Sequence, residues 1–208
     1  MLNVLARAHV NRVTEPLGRW LVRIGITPDA VTVAGTVGSV AAALVFLPRG
    51  QLFFGTLGVT VFVLFDLVDG AVARAKGKGT PFGAVLDSTC DRIADGALFA
   101  ALTWWALGIG QARVLGVAAL ICLVAGQLIS YIKARAEGAG LRVVGGLVER
   151  AERLILALVG TGLAGLGVPY ALDVALWVLA AASVWTVGQR LAEARRSARD
   201  LPPEPAAQ

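Results

Sequence analysis

Charge, cysteine and histidine are all scarce in this sequence. Charged residues make up 16% of its 208 positions and hydrophobic ones 57%, and mean hydropathy is +0.73. A typical soluble domain is roughly 25% charged, so that balance excludes an ordinary soluble globule and makes lipid the expected solvent. The two cysteines, Cys90 and Cys122, both fall inside apolar runs; they exclude a disulfide framework and read as small buried hydrophobes. The single histidine, His9, has no triad or metal partners near it in sequence and is expected to face solvent or lipid headgroups rather than take part in catalysis. A secretory leader pattern is missing too: basic residues are spread over the first stretch and no small-residue cleavage site follows a short apolar core, so the N-terminus is expected to be retained.

What the chain does contain is long apolar runs. Crossing about 30 Å of hydrocarbon takes about 20 mostly apolar residues, and residues 30–47, 52–73, 83–107, 114–132, 154–168 and 170–188 qualify. The fold expected is therefore an all-α polytopic membrane protein with six transmembrane helices. A net charge of +5 would otherwise raise the question of nucleic acid, but the basic residues segregate by loop. Arg7, Arg12, Arg19 and Arg23 precede the first span, Arg74, Lys76 and Lys78 follow the second, and Lys133, Arg135, Arg142, Arg150 and Arg153 join the fourth to the fifth. Arg190, Arg195, Arg196 and Arg199 close the chain, while the alternate loops hold only Arg49 and Arg113. The positive-inside rule then places both termini and the 2–3 and 4–5 loops on the cytoplasmic side of the plasma membrane, and no nucleic-acid partner is implied.

Between residues 11 and 24, Val13, Leu17, Trp20, Leu21 and Ile24 recur at helical spacing with Arg12, Arg19 and Arg23 on another face. That pattern predicts an amphipathic helix lying on the membrane surface. Thr27, Pro28 and Asp29 mark a restart: a cap, a residue suited to the first helical position and an acid that complements the positive helix end. Small residues follow in the first span at Gly35, Gly38, Ala41, Ala42 and Ala43, which permit close helix packing. The organisation expected is a surface segment 1–26, a membrane domain 27–193 and a cytoplasmic tail 194–208 whose proline-rich end reads as disordered.

The chemistry concentrates in Asp66, Asp69, Asp87 and Asp91, all within apolar stretches. An ionised group at membrane depth costs several kcal/mol unless paired, hydrated or bound to a cation, so four together are a functional hypothesis by default. Asp66 and Asp69 are three apart and Asp87 and Asp91 four apart, so each pair shares a helix face. The glycines and proline of the 75–82 turn predict a hairpin that brings both pairs to similar depth. Carboxylates without a matching set of histidines or thiolates suit Mg²⁺ or Mn²⁺ over zinc or copper. Two such ions could neutralise a pyrophosphate and stabilise the attacking and leaving oxygens. Gly70, Ala73 and Gly83 leave room for a nucleotide beside them, and Arg74 would grip phosphate. Asp95 extends the Asp87–Asp91 stripe by a further turn, as a hydrogen-bonded outer partner, a direct ligand or a carboxylate facing a watery cavity.

These residues form one pattern: aspartate, two residues, aspartate and glycine, two residues, alanine and arginine, eight residues, glycine, three residues, aspartate, three residues, aspartate. In this it resembles the signature of the CDP-alcohol phosphotransferase family, with every specified position matched. The resemblance implies a six-helix membrane enzyme, usually dimeric, whose cytoplasm-facing cavity displaces CMP from a CDP-linked lipid. It makes Asp66, Asp69, Asp87 and Asp91 metal ligands, Asp91 also the base that takes the acceptor's proton, and Gly70, Ala73, Arg74 and Gly83 the walls of the CDP pocket, lined as well by Asp29 and Thr32.

The acceptor is read from cations outside the signature. Lys133, Arg150, Arg153 and Arg190 lie near the same ends of their spans and would suit an acceptor carrying phosphate, although residues there also serve simply as membrane anchors. The opening residues, the 27–32 segment and the 130–137 segment are similar to the actinobacterial branch of the family that makes phosphatidylinositol phosphate. That likeness implies CDP-diacylglycerol as donor and myo-inositol 1-phosphate as acceptor, its phosphate held by Lys133, Arg153 and Arg190. Glycerol 3-phosphate would satisfy the same charges. A divalent-cation transporter is a reading of another class, but it gives no reason for Gly70, Ala73, Arg74 and Gly83.

Overall fold

The structure, a computed structural model, describes residues 16, 20–64, 72 and 80–200. Its elements are helices α1 (Pro28–Phe46, continued by a 3-10 turn, Leu47–Arg49), α2 (Leu52–Val63), α3 (Pro81–Leu107), α4 (Arg113–Gly138), α5 (Arg150–Gly165) and α6 (Ala171–Arg199), and the described residues contain no strand. The chain falls into two compact units, Met1–Ala101 and Leu102–Gln208, with α3 contributing to both. Most of the predicted surface helix, with His9, lies outside the described residues. Its last part, residues 20–23, is helical, with Trp20 and Ile24 exposed.

In the first unit α1 starts where the sequence places it. Thr27 is the cap, its hydroxyl accepting the Ala30 N–H at 3.2 Å, with Pro28 in the first turn and Asp29 beside it. α1 and α2 form an antiparallel pair whose small residues meet large ones: the Phe62 ring covers Gly38, and a Cβ on Gly58 would lie 2.9 Å from that of Ala42. Gly35, Ala42 and Ala43 are buried as expected, whereas Ala41 faces outward. Between helices in lipid, such close approach supplies the dispersion energy that hydrophobic exclusion supplies in water.

In the second unit α4 and α5 both pack against α6. A Cβ on Gly160 of α5 would fall inside van der Waals contact of the Ala175 Cβ and 3.2 Å from the Ala171 carbonyl oxygen, so this glycine sets the α5–α6 spacing. Both cysteines are buried and free, and the Cys122 thiol donates to the Leu176 carbonyl.

Three helices among the described residues are long and apolar enough to cross a membrane: α1 with its 3-10 turn, α4 and α6. The helix α2 is described only to Val63, α5 has 16 residues, and α3 carries Asp87, Asp91, Arg92 and Asp95 near its N-terminal half. Helix bounds also overrun the apolar runs. α3 begins at Pro81, α4 continues past residue 132 to Gly138, and α6 continues past 188 to Arg199, because alanine, glutamate and arginine extend a helix after the hydrocarbon has ended.

Gly160→Leu should force α5 from α6 and lower stability by about 1–3 kcal/mol, read as a lower melting temperature in detergent; an unchanged melting temperature would show that the helices separate freely there.

Candidate active site

α3 opens with the same device as α1. Thr80 precedes Pro81 as Thr27 precedes Pro28, and the Thr80 hydroxyl accepts the Gly83 N–H at 2.9 Å. The first turn is thereby fixed, and Gly83 faces the start of α1. A Cβ on Gly83 would sit 3.3 Å from Asp29 Oδ1 and 3.1 Å from Thr80 Oγ1, tighter than most side chains tolerate. Thr32, the next turn of α1, is buried, and its hydroxyl donates to the Pro28 carbonyl at 3.1 Å. Asp29 and Gly83, assigned from sequence to one nucleotide pocket, therefore do lie together.

Asp87 and Asp91 follow Gly83 at successive turns on the same side of α3, Asp87 exposed and Asp91 half-buried. Asp95 is buried one turn further on. Arg92 bridges the row, its Nη2 lying 3.5 Å from Asp95 and 3.8 Å from Asp91. Asp95 thus acts on the row through a guanidinium. Asp66, Asp69, Gly70, Ala73 and Arg74 lie outside the described residues. Among the described residues no group of three or more His, Cys, Asp or Glu side chains forms a metal cage. The donor set that α3 does present, carboxylate oxygens without histidine or accessible thiolate, fits a hard divalent cation.

The predicted acceptor cations belong to the second unit. Arg153, in the first turn of α5, is almost wholly buried and lies against α4 at Gly126, where a Cβ would be 3.3 Å from its Nε. Arg190 on α6 is also buried. It donates from Nη1 to the Ile129 carbonyl at 2.7 Å and from Nε to the Gly145 carbonyl at 3.0 Å. Gly126, Ile129 and Lys133 recur at helical spacing along α4, so Arg153 and Arg190 both approach the face on which Lys133 stands, and Lys133 itself is exposed. Arg150, half-buried, opens α5.

A cavity of about 770 Å³ lined by Gln111, Arg113, Asp173 and Trp177 opens at the C-terminal end of α3. None of the predicted site residues among those described lines the cavity.

A family model described as CDP-alcohol phosphatidyltransferase matches residues 25–188. The chain belongs to that family. It is 58% identical over 190 residues to the phosphatidylinositol phosphate synthase of Mycobacterium marinum, an alignment covering 90% of this chain and 81% of that one. The crystal structure of the Mycobacterium tuberculosis phosphatidylinositol phosphate synthase with CDP-DAG bound superimposes with a TM-score of 0.89 at 52% identity, covering 93% of this chain and 99% of that one. The same enzyme in complex with manganese and citrate gives a TM-score of 0.88 at 52% identity, covering 92% and 93%. Family membership sets aside the transporter reading.

Two residues in contact with the predicted site residues were missed from sequence. Thr80 was absorbed into a turn, although the Thr-Pro step of α1 recurs there. Arg92 was passed over as a neighbour of Asp91, although its three-residue spacing to Asp95 is that of a helical ion pair. In Gly83→Val the side chain would displace the Asp29 carboxylate and loosen the Thr80 cap. Transferase activity should fall at least about tenfold, as misplacing a positioned group does, with the loss appearing in KM for the CDP-linked donor; wild-type donor KM would remove Gly83 from the pocket.

Proposed function

We propose that the chain transfers the phosphatidyl group of CDP-diacylglycerol to myo-inositol 1-phosphate, releasing CMP and forming phosphatidylinositol phosphate. The observation that carries this reading is a likeness to synthases of that name extending over nine-tenths of the chain, far beyond the signature. The close approach of Asp29 to Gly83 above the aspartate row supports it. The enzyme acts in the plasma membrane as a homodimer of six-span subunits, built on residues 27–193, with its active site and both termini cytoplasmic. The basic loops support that orientation.

The donor's nucleotide lies against Gly70, Ala73 and Gly83, where the missing side chains admit it to the backbone, with Arg74 on the phosphates and Asp29 and Thr32 beside it. Asp66, Asp69, Asp87 and Asp91 hold two divalent cations, Mg²⁺ or Mn²⁺, which supply charge neutralisation to the pyrophosphate and the leaving CMP. Asp91 accepts the proton of the inositol hydroxyl as that oxygen attacks the lipid-side phosphorus. The new phosphorus–oxygen bond forms as the bond to CMP breaks, in line and without a covalent enzyme intermediate. Positioning and electrostatics dominate phosphoryl transfer in general. Here Arg153, Arg190 and Lys133 hold the acceptor's phosphate, guanidinium pairs being suited to its oxygens.

Purified protein in detergent with CDP-diacylglycerol should release CMP with inositol 1-phosphate and far less with free inositol, glycerol 3-phosphate or serine. Release with glycerol 3-phosphate alone would reassign the acceptor. Chelation should abolish the reaction and added Mg²⁺ or Mn²⁺ restore it; turnover that survives chelation would overturn the metal assignment. Asp91→Asn should eliminate turnover, a loss of at least about a hundredfold, while CDP-diacylglycerol still raises the melting temperature. A normal rate in that variant would leave the base elsewhere.

A further inference from the structure

The link between α4 and α5 is not a loose loop. It leaves α4 through Gly140, whose φ of +73° closes the helix end as the Gly140 N–H bonds the Glu137 carbonyl at 3.0 Å and the Leu141 N–H the Ala136 carbonyl at 2.9 Å. From there it runs antiparallel to the last turns of α6, whose side chains take up its backbone amides in order. Arg142 N–H donates to Ser197 Oγ at 2.9 Å and Val144 N–H to Glu193 Oε1 at 3.0 Å. Leu147 N–H donates to Gln189 Oε1 at 3.0 Å and Val148 N–H to Thr186 Oγ1 at 3.2 Å. Between these, Arg190 Nε donates to the Gly145 carbonyl.

The dimensions match. α6 rises about 16 Å from Thr186 to Ser197, and six residues of extended chain span at most about 20 Å, so the link can follow that stretch of α6 while bending at Leu147 and Val148. Val143 and Val148 are buried, and Gly146 has no room for a side chain, since a Cβ would meet Thr186 Cγ2 at 2.6 Å. The link is a strap. Its far end is Glu149, which caps α5 reciprocally with Glu152 and so sets the first turn that carries Arg153. Its middle is bonded to Arg190. Two buried guanidiniums on different helices are thus each tied to the strap, Arg190 through Gly145 and Arg153 through the capped first turn of α5.

We infer that Thr186, Gln189, Glu193 and Ser197 are positioning residues for the acceptor: they zip the strap to α6 and thereby hold Arg153 and Arg190 in the geometry that receives the acceptor's phosphate. The inference rests on the acceptor reading above for the role of the two arginines. None of the four zipper residues is among those assigned above to the substrates.

The test is steady-state kinetics of Gln189→Ala, Glu193→Ala and the double variant in detergent, with acceptor and donor varied separately. Loss of one or two such hydrogen bonds should raise acceptor KM about fivefold in each single variant and more in the double. Donor KM and kcat should stay within about twofold. Glu193→Gln, which keeps a carbonyl oxygen for the Val144 N–H, should behave as wild type. Acceptor KM within twofold of wild type in the double variant would overturn the inference, as would a parallel rise in donor KM or failure of Glu193→Gln to restore binding. Gln189 is exposed, so its variant folds even where others do not, and the shift in melting temperature caused by CDP-diacylglycerol checks each preparation. The measurement uses whichever phosphorylated acceptor the wild type accepts. A preference for glycerol 3-phosphate would therefore defeat the inositol assignment and leave the strap standing, while unaltered kinetics would defeat the strap alone.

Discussion

A carboxylate on a membrane helix must be compensated, and the first unit is organised around that requirement. Gly83, Asp87, Asp91 and Asp95 occupy successive turns of one side of α3, a row that could not persist against hydrocarbon. At its buried end Arg92 stands between Asp91 and Asp95; at its open end Gly83 gives way to the carboxylate of Asp29. Acid thus runs along one side of α3, from the contact of Asp29 with Gly83 to the buried Asp95, and the first turn of the helix itself carries none. An all-oxygen face of this kind would be completed by cations, so the proposed metal site would also stabilise the row.

The second unit solves the opposite problem, buried positive charge. Arg190 gives two of its donors to backbone carbonyls, on α4 and on the strap, and the carboxylates of Glu149, Glu193 and Glu137 are near enough to act on its charge. Arg153 reaches the α4 backbone only because position 126 is glycine. Small residues matter here for the approach they allow a cation, just as Gly38 and Gly58 matter for the approach they allow a helix.

Much of this was legible in advance. Thr27, Pro28 and Asp29 announced the start of α1 because capping is a local interaction among adjacent residues. The i, i+4 spacing of Asp87 and Asp91 announced a shared face for the same reason, and apolar runs located the cores of the six long helices among the described residues. What stayed hidden was non-local or outside lipid. The last turn and a half of α6, from residue 194 on, read as a tail because Arg195, Arg196, Ser197 and Arg199 give no apolar periodicity to betray a helix, and the strap has no internal ladder, its amides being received by residues some forty to fifty-five positions away. Ala41 was taken for a packing residue on composition alone, which cannot say on which side of a helix a small residue falls.

α6 has 29 residues and is therefore about 43 Å long, against about 30 Å of hydrocarbon. The surplus is not idle length. A chain cut at 193 would keep the whole apolar run of this helix yet leave the Arg142 amide without its serine, so the extra turns serve the neighbour lying alongside rather than the span.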